Sequence, residues 1–225
     1  MSTGLTGFAA PNASGEWEGF DVTMCRAVAA AVLGDASAVQ FVPTTGKTRF
    51  TALASGEIDM LARNTTWTFS RDVDLKFEFV GVNYYDGQGF MVPSDLGVSS
   101  AKELDGATVC IQTGTTTELN LADFFRSNNI SYEPVPTETN AESQQQLLAG
   151  ACDVFTTDAS GLAATRATFE NPGDWTVLPE IISKEPLGPL VRHGDNGWGD
   201  VVRWTLNALI TCLLYTSDAA DDTPC

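Results

Sequence analysis

Short apolar runs alternate with amphipathic segments along most of the chain, and this alternation constrains the fold more than any other feature of the sequence. Residues 21–34 carry apolar side chains at helical spacing and end on a glycine, and the apolar run at residues 39–42 is typical of a strand. Strands that alternate with helices form largely parallel sheets with helices on their faces. We therefore predict an α/β fold, with helices at 21–34, 48–55, 116–128, 142–149, 158–168 and 201–210 and strands at 39–42, 58–61, 77–80, 89–93, 107–112, 132–135 and 152–156.

The alternation runs in two series, and the chain passes between them twice in an extended conformation, near residues 91–93 and 183–189. This predicts two lobes, each with a parallel or mixed sheet flanked by helices, joined by a two-strand hinge. The first lobe would comprise residues 1–91 and 187–210, and the second residues 92–186. No strand precedes the first loop, so we expect the first lobe to be incomplete and the chain to be truncated at both ends.

Neither end of the chain has the sequence expected of a natural protein. The segment at residues 211–225 resembles translated sequencing-adapter read-through, and we leave it out of the functional interpretation as a non-native tail. The first residues contain no basic segment followed by an apolar one, so we expect no export signal within this fragment. No apolar run approaches the roughly 18 residues that a membrane span requires.

The chain is strongly acidic, and its composition excludes several classes of function. It has 29 Asp and Glu residues against 12 Lys and Arg, a formal net charge of −17, whereas binding to nucleic-acid phosphates needs clustered cations. A single histidine, His193, and the absence of a CxxC pair give no basis for a zinc site, so we expect no metal and no cofactor. Cys110 and Cys152 both fall in apolar strand-like segments of the second lobe, where they form either a disulfide or two buried thiols.

Three polar segments follow the carboxyl ends of predicted strands, where ligands bind in open α/β sheets. Their chemistry is complementary to the two charged ends of a zwitterion. A Gly-Thr-Thr turn presents backbone N–H groups at the start of a helix, a guanidinium can hold a carboxylate through two parallel hydrogen bonds, and a carboxylate can accept from an ammonium group. The residues that carry these groups are Arg71 in the first segment, Thr115 and Thr116 in the second, and Asp158 in the third.

Each of these features also has a purely structural interpretation. An Arg-Asp dipeptide is usually a surface pair, a Gly-Thr-Thr turn is usually a helix N-cap, and Asp158 is well placed to cap the helix that follows it. Their joint occurrence at three strand ends, in both predicted lobes, is what indicates a binding site.

Four segments that occur in order along the chain resemble a known family. Residues 63–71, 79–90, 112–116 and 153–158 are similar to segments of family 3 bacterial extracellular solute-binding proteins, most of all to the members that bind L-amino acids generally for ABC transporters. The resemblance spans roughly residues 3–210. It implies a type II periplasmic-binding-protein fold and a periplasmic monomer that binds a free L-amino acid, carries out no chemistry on it and delivers it to a membrane ABC permease.

The resemblance also implies a role for each candidate residue. Arg71 would bind the α-carboxylate, Thr115 and Thr116 would close on that carboxylate from the second lobe, and Asp158 would accept from the α-ammonium. For Trp67 a place in the pocket and a place in the core are equal alternatives. The further residues that would contact the backbone or the side chain of the ligand are Asn64, Thr66, Leu5, Phe8 and Trp67.

Two other functions remain open on the same fold. A dehydratase-like enzyme would need a general acid or base facing the ligand, and the sequence shows no evident pairing for its spare acidic residues. The ligand-binding domain of a sensor would look the same unless a membrane segment were fused to it. Our expectation is a non-enzymatic binding protein of broad, polar specificity without a nucleic-acid partner.

Overall fold

A computed structural model describes the backbone of residues 1–218 and the side chains of residues 1–212. Residues 219–225, the last part of the tail set aside above, lie outside the described residues. The strands, in chain order, are β1 (Ala10–Pro11), β2 (Trp17–Glu18), β3 (Phe77–Phe79), β4 (Tyr84–Asp86), β5 (Gln88–Pro93), β6 (Ala107–Gln112), β7 (Tyr132–Thr137), β8 (Val154–Asp158), β9 (Trp175–Val177), β10 (Glu185–Leu187) and β11 (Leu190–Arg192). The helices are α1 (Phe20–Leu33), α2 (Arg49–Ser55), α3 (Thr116–Asn128), α4 (Asn140–Leu148), α5 (Ala159–Ala167) and α6 (Asn196–Asp218).

The elements form two groups, as the predicted α/β fold requires. We call the five-stranded sheet and its helices, from Gln88 to Val177, the sheet lobe, and the elements before and after it the paired-strand lobe. The first five helices begin and end within two residues of their predicted bounds, and the last begins five residues earlier than predicted. Among residues 1–218, no helix combines the length and the apolar character needed to cross a bilayer.

The sheet lobe is built on strands in the order β7-β6-β8-β5-β9, with the first three parallel and β5 antiparallel to both of its neighbours. Alternate residues of a strand point to opposite faces of the sheet. Phe90, Val109 and Val154 pack with α3 on one face, and Met91 and Phe155 pack with α4 and α5 on the other. Because both faces are buried, the loops that leave β6 and β8 start from rigid positions.

A disulfide joins Cys110 on β6 to Cys152, two residues before β8, with their Cα atoms 5.7 Å apart. This answers the question that the sequence left open between a disulfide and two buried thiols. Cys25 in α1 is a buried free thiol that lies 3.7 Å from the sulfur of Met1.

The paired-strand lobe contains three antiparallel pairs, β1 with β2, β3 with β11, and β4 with β10. The second and third pairs bring the end of the chain back to strands that precede the sheet lobe. Helix α6 packs on α1 through Met24, Val28, Val202 and Leu206. The chain therefore enters and leaves the sheet lobe side by side, at β4 and β10.

Two predicted strands of this lobe, at residues 39–42 and 58–61, are not formed. The first makes ladder-like hydrogen bonds with Met1 alone, whose nitrogen donates to the oxygen of Val42 and whose oxygen accepts from Thr44, both at 2.9 Å. The second is reduced to a single bridge between Leu61 and Leu190. A strand needs a neighbour that continues its hydrogen-bond ladder, and one residue cannot provide it. The apolar side chains of the first run are only half-buried, whereas Ile58 and Leu61 of the second are buried.

Candidate functional site

The polar segments predicted from the sequence meet where the two lobes face each other. Asn64 Nδ2 in the paired-strand lobe donates to Asp158 Oδ2 in the sheet lobe at 3.2 Å. The hydroxyls of Thr66 and Thr116, one from each lobe, lie 3.2 Å apart. The structure therefore has the cleft closed, with the candidate residues at its centre.

Arg71 lies on a single π-helical turn, Ser70–Asp74, at the end of the first polar segment. Its side chain is only 7% exposed, and Nη1 donates to the backbone oxygen of Thr66 at 2.9 Å. The guanidinium carbon lies 5.2 Å from the centre of the Phe50 ring, within the range of a cation–π contact. Burial lowers the pKa of Arg71 to about 10, against the opposing effect of the nearby carboxylates of Glu185 and Asp158. The side chain remains a cation at neutral pH, with donors left for an anion.

Two further arginines, Arg49 and Arg63, are buried beside Arg71 and were not predicted as site residues. Arg49, the first residue of α2, is 3% exposed and donates from Nη1 to the hydroxyl of Thr65 at 3.2 Å. Arg63 donates from Nε to the backbone oxygen of Thr44 at 3.1 Å. Among the side chains that the structure describes, no ion pair involves any of these three arginines.

The sequence held only a weak signal for these two arginines. Arg63 directly precedes Asn64 within the first polar segment, but Arg49 starts a helix, where a charged residue is usually exposed. Burial lowers the pKa of Arg63 to about 10 and that of Arg49 well below its ordinary value. For Arg49 the neighbouring cations Arg63 and Arg71 lower the pKa further. The site thus concentrates positive charge on the paired-strand lobe.

Asp158 ends β8 on the opposite side of the cleft and is buried. It occupies the N-cap position of α5, but its side chain makes no capping hydrogen bond to that helix and accepts from Asn64 instead. Burial, and secondarily the nearby carboxylates of Asp86 and Glu185, raise the pKa of Asp158 to about 7. A cation placed beside this carboxyl group would favour its ionised form.

Glu185 is a buried carboxylate that the sequence analysis missed. It lies on β10, is 2% exposed, and accepts hydrogen bonds from both lobes. Within the described side chains, no three His, Cys, Asp or Glu residues are grouped so as to hold a metal ion. The hydrogen-bond donors to Glu185 are the hydroxyls of Thr66, Thr116 (3.1 Å) and Ser183 (2.7 Å) and Asn120 Nδ2 (2.7 Å). The sequence shows Glu185 only as one acidic residue in the extended return segment, and it does not reveal these partners.

Thr115 caps α3, and its hydroxyl is already used for that purpose. It donates to the backbone oxygen of Gln112 at 2.6 Å and accepts from the backbone nitrogen of Glu118 at 3.3 Å. The loop of the other lobe comes so close that a Cβ on Gly46 would lie 2.6 Å from the backbone oxygen of Thr113. The helix start therefore faces the cleft at a point where the two backbones touch.

The three apolar candidates occupy two different environments. Leu5 and Phe8 are buried and pack against Leu187, and the ring of Phe8 meets that of Tyr84 edge-on at 5.4 Å. Trp67, in contrast, is 38% exposed. Its ring stacks on Phe79 at 5.4 Å and its Nε1 donates to Asp72 at 2.5 Å. The indole thus lies outside the buried group that the other candidates form, and this geometry favours a structural role for Trp67.

Two α/β lobes that the chain crosses between twice, and that close over buried guanidiniums on one side and the buried carboxylate of Asp158 on the other, have the architecture of a type II periplasmic binding protein. The sequence comparison agrees with this class, because the pattern of the bacterial extracellular solute-binding proteins, family 3, matches residues 2–211. The chain belongs to this family, as the four segments at residues 63–158 predicted.

Similar proteins include two curated relatives and one solved structure. The chain is 68% identical to the glutamate/glutamine/aspartate/asparagine-binding protein BztA of Rhodobacter capsulatus, over 94% of this chain and 63% of that protein. It is 61% identical to the general L-amino acid-binding periplasmic protein AapJ of Rhizobium johnstonii, over 93% of this chain and 62% of that protein. A periplasmic binding protein from Brucella ovis with glutathione bound superposes with a TM-score of 0.91 at 56% identity, over 96% of this chain and 68% of that one. The chain thus spans somewhat less than two thirds of the length of the two curated relatives.

Proposed function

We propose that this chain is the substrate-binding component of an amino-acid ABC importer, which encloses a free L-amino acid between its lobes and delivers it to a membrane permease. The observation that carries this proposal is the opposition of charge across the cleft. Arg71 and Asp158 are both buried, on opposite lobes, and neither forms an ion pair within the described residues. A zwitterion offers each of them a group of opposite charge. The names of the relatives from R. capsulatus and Rhizobium support this choice of ligand.

Each end of the ligand has a set of partners in this proposal. The α-carboxylate binds Arg71 and the start of α3 at Thr115 and Thr116, and the α-ammonium binds Asp158 and the side-chain oxygen of Asn64. That oxygen is buried without a hydrogen-bond partner in the described part of the chain, which leaves an acceptor beside Asp158. The hydroxyl of Thr66 and the apolar side chains of Leu5 and Phe8 complete the proposed set, and Trp67, stacked on Phe79, supports it from outside.

Hydrogen bonds to the charged groups of the ligand would be enough for a micromolar dissociation constant. Each such bond contributes about 1.5–3 kcal/mol net. Three or four of them, after the cost of ordering the ligand and the lobes, support a complex of about −8 kcal/mol, which corresponds to a micromolar dissociation constant.

Release and delivery require the lobes to move about a hinge. We propose the division predicted from the sequence, residues 1–91 with 187–210 in one lobe and 92–186 in the other. The pairing of Gln88 to Met91 with β8 favours a first crossing a few residues earlier, near Gly87. In the open form the ligand would bind Arg71 first, and closure would then bring Asp158 onto it. The closed monomer would be the form that docks on the permease.

The proposed compartment is the periplasm, and the proposed role is binding without turnover. The disulfide between Cys110 and Cys152 suits an oxidising compartment. Asp158, with its pKa raised to about 7, is the group that a dehydratase-like enzyme on this fold would use as an acid or base. Recovery of the bound amino acid by mass spectrometry separates the two functions, because a binding protein returns it unchanged.

The proposal is tested by titration calorimetry of the protein with each of the twenty L-amino acids and with their D-enantiomers as controls. We expect micromolar or tighter binding of several polar L-amino acids and much weaker binding of the D-forms. A protein that binds none of the L-amino acids, or binds amines and simple carboxylates as tightly, would refute the recognition of a zwitterion.

A further inference from the structure

Asp158 occupies a position at which the protein would ordinarily use the side chain for itself. It is the N-cap residue of α5, with a non-helical ψ of 138°. An aspartate at an N-cap ordinarily accepts a hydrogen bond from the backbone N–H of the second or third helical residue. Within the described residues Asp158 makes no such bond, and its side chain accepts from Asn64 instead. The donors at the start of α5 therefore need other acceptors.

Asp86 caps α5 in place of Asp158. It is the last residue of β4, on the paired-strand side of the first crossing between the lobes. Its Oδ1 accepts from the backbone nitrogen of Ser160, the second residue of α5, at 3.3 Å, and its Oδ2 accepts from the hydroxyl of the same residue. The first donor of the helix, the backbone nitrogen of Ala159, donates to the backbone oxygen of Gly87 at 2.7 Å. Two consecutive residues at the crossing thus satisfy the start of the helix.

The cap from Asp86 determines what Asp158 is free to do. The N–H of Ser160 is one of the two donors that Asp158 would otherwise take, and Asp86 already occupies it. Asp86 is itself held by the protein, because its Oδ1 also accepts from the backbone nitrogen of Gly87 at 2.8 Å. The carboxylate of Asp158 can therefore face Asn64 and the cleft without leaving the N–H of Ser160 unsatisfied.

Given the proposed function, on which this inference rests, we propose that Asp86 is a positioning residue of the binding site. By capping α5, it keeps the carboxylate of Asp158 turned toward the ammonium group of the ligand, and it does not contact the ligand itself. Without this cap, Asp158 would turn back to accept from the N–H of Ser160. Recognition of the ammonium group would then be weakened, while recognition of the α-carboxylate by Arg71 would be kept.

The charge of Asp86 has a second effect on Asp158, which a suitable variant separates from the cap. Burial raises the pKa of Asp158 to about 7, and Asp86 is the neighbouring charge that raises it most. A variant that keeps the cap but removes this charge should therefore lower the pKa of Asp158. The other charged groups that interact with Asp158, all of which such a variant retains, are the carboxylate of Glu185 and the guanidiniums of Arg49, Arg63 and Arg71.

The first test is Asp86→Ala, which removes the cap. Calorimetry at pH 8 compares L-glutamate with glutarate, which has both carboxylates but lacks the ammonium group. We expect L-glutamate to bind about tenfold more weakly than to the unmodified protein, since one charged hydrogen bond is lost, and glutarate to change less than about threefold. A crystal structure of the variant should show Asp158 bonded to the backbone nitrogen of Ser160. Asp95→Ala, at an exposed aspartate, is the matched control and should change neither affinity.

Two outcomes of this first test would count against different claims. Equal losses for glutamate and glutarate in Asp86→Ala, with Asp158 still bonded to Asn64, would show a purely structural role and overturn the proposal for Asp86 alone. Failure of the unmodified protein to bind any L-amino acid would refute the proposed function, and this inference with it.

The second test is Asp86→Asn, which keeps an oxygen for the N–H of Ser160 and removes the charge. At pH 8 we expect this variant to recover most of the affinity for L-glutamate that Asp86→Ala loses. At pH 6 it should bind L-glutamate about threefold more tightly than the unmodified protein does, because more of Asp158 is ionised. A purely structural role predicts a loss at both pH values. Binding as weak as that of Asp86→Ala at pH 8, or no tighter than that of the unmodified protein at pH 6, would overturn the proposal.

Discussion

The candidate cleft contains buried cations and buried carboxylates, and these two sets of groups satisfy their charges in different ways. Arg49, Arg63 and Arg71, which we call the cation wall, each donate one side-chain hydrogen bond to the rest of the described chain. Among the carboxylates, Glu185 of β10, on the same lobe as these arginines, accepts four hydrogen bonds from hydroxyl and amide groups. Asp158 is the exception among these acids, because it accepts only from Asn64.

This difference indicates which groups the ligand completes. Glu185 is satisfied by the protein and connects the lobes through Thr66 and Thr116, so it stabilises the closed cleft without a ligand. The cation wall and Asp158 have hydrogen-bonding capacity left, so their full stabilisation appears only when a ligand is bound. Variants of the cation wall and of Asp158 should therefore change affinity most, and variants of Glu185 should change closure.

The largest expected effect is that of Arg71→Met. Removal of the guanidinium deletes the charge-assisted contact that we propose to the α-carboxylate, which every amino acid carries, at a cost of about 2–3 kcal/mol. We expect affinity to fall by roughly 100-fold for every ligand of the unmodified protein. Titration calorimetry across the amino-acid panel measures the effect.

Arg166→Gln serves as the control for Arg71→Met, since Arg166 is half-buried in α5 and, within the described residues, its guanidinium donates only to the backbone oxygen of Pro172. It should bind as the unmodified protein does. A loss in Arg71→Met that differs widely from one amino acid to another would contradict the assignment of Arg71 to the α-carboxylate. Such a result would place Arg71 at the ligand side chain.

The contrast between the lobes explains how much of the fold could be predicted from the sequence. In the sheet lobe each apolar run pairs with a neighbouring strand. The predicted bounds of β6 and α3 are the observed ones. In the paired-strand lobe the run at residues 39–42 has the same apolar character but pairs only with Met1. An apolar run in the sequence predicts contact with other apolar side chains. A strand also needs a second backbone alongside it to form hydrogen bonds, and which backbone lies there depends on how the whole chain folds.

Some residues of the candidate site could likewise be predicted from the sequence, and others could not. Thr66, Thr116 and Asp158 could be placed together because all three follow strands, and the carboxyl ends of strands are where clefts form. Arg49 and Glu185 could not, because one starts a helix and the other lies on a return strand, and only the folded chain brings them to the cleft. Their burial, which makes them candidates, has no signature in a single sequence.

The next largest effect is expected for Asp158→Asn. The amide keeps the shape of the side chain but removes the negative charge that, in our proposal, faces the α-ammonium. We expect affinity for L-glutamate to fall by about 10- to 30-fold, the cost of one charged hydrogen bond. Binding of glutarate, which lacks the ammonium group, should change less than about threefold. Calorimetry with both ligands measures the difference.

Thermal unfolding distinguishes a lost contact from a damaged fold in Asp158→Asn. The pKa of Asp158 in the folded protein is about 7, above its ordinary value of 3.8, so the ionised form opposes folding at higher pH. Above pH 7 the ligand-free variant should therefore unfold at a higher temperature than the unmodified protein. Asp95→Asn, at an exposed residue, should show neither effect. A variant that is less stable at pH 8 would contradict the burial of an unpaired charge.

A change of about tenfold is expected from pH alone. With a pKa of about 7, Asp158 is largely protonated at pH 6 and largely ionised at pH 8, and the ligand ammonium favours the ionised form. Affinity for L-glutamate should therefore rise about tenfold between pH 6 and pH 8, with proton release on binding. Calorimetry in two buffers of different ionisation enthalpy measures that release. The rise should be absent in Asp158→Asn, and its persistence there would assign the titration to another group, such as Asp21.

The smallest expected effect on affinity is that of Glu185→Gln. The amide keeps one acceptor oxygen but replaces the other with a donor, which cannot accept from the hydroxyls of Thr66 and Thr116. Because Glu185 joins the lobes rather than the ligand, we expect only about a threefold loss of affinity for every amino acid. The larger change should be a higher open fraction of the ligand-free protein, measured by small-angle scattering or by the distance between two spin labels, one on each lobe. Glu133→Gln, at an exposed position of β7, is the matched control. A large loss confined to one class of ligand, with no change in the open fraction, would show that Glu185 contacts the ligand directly.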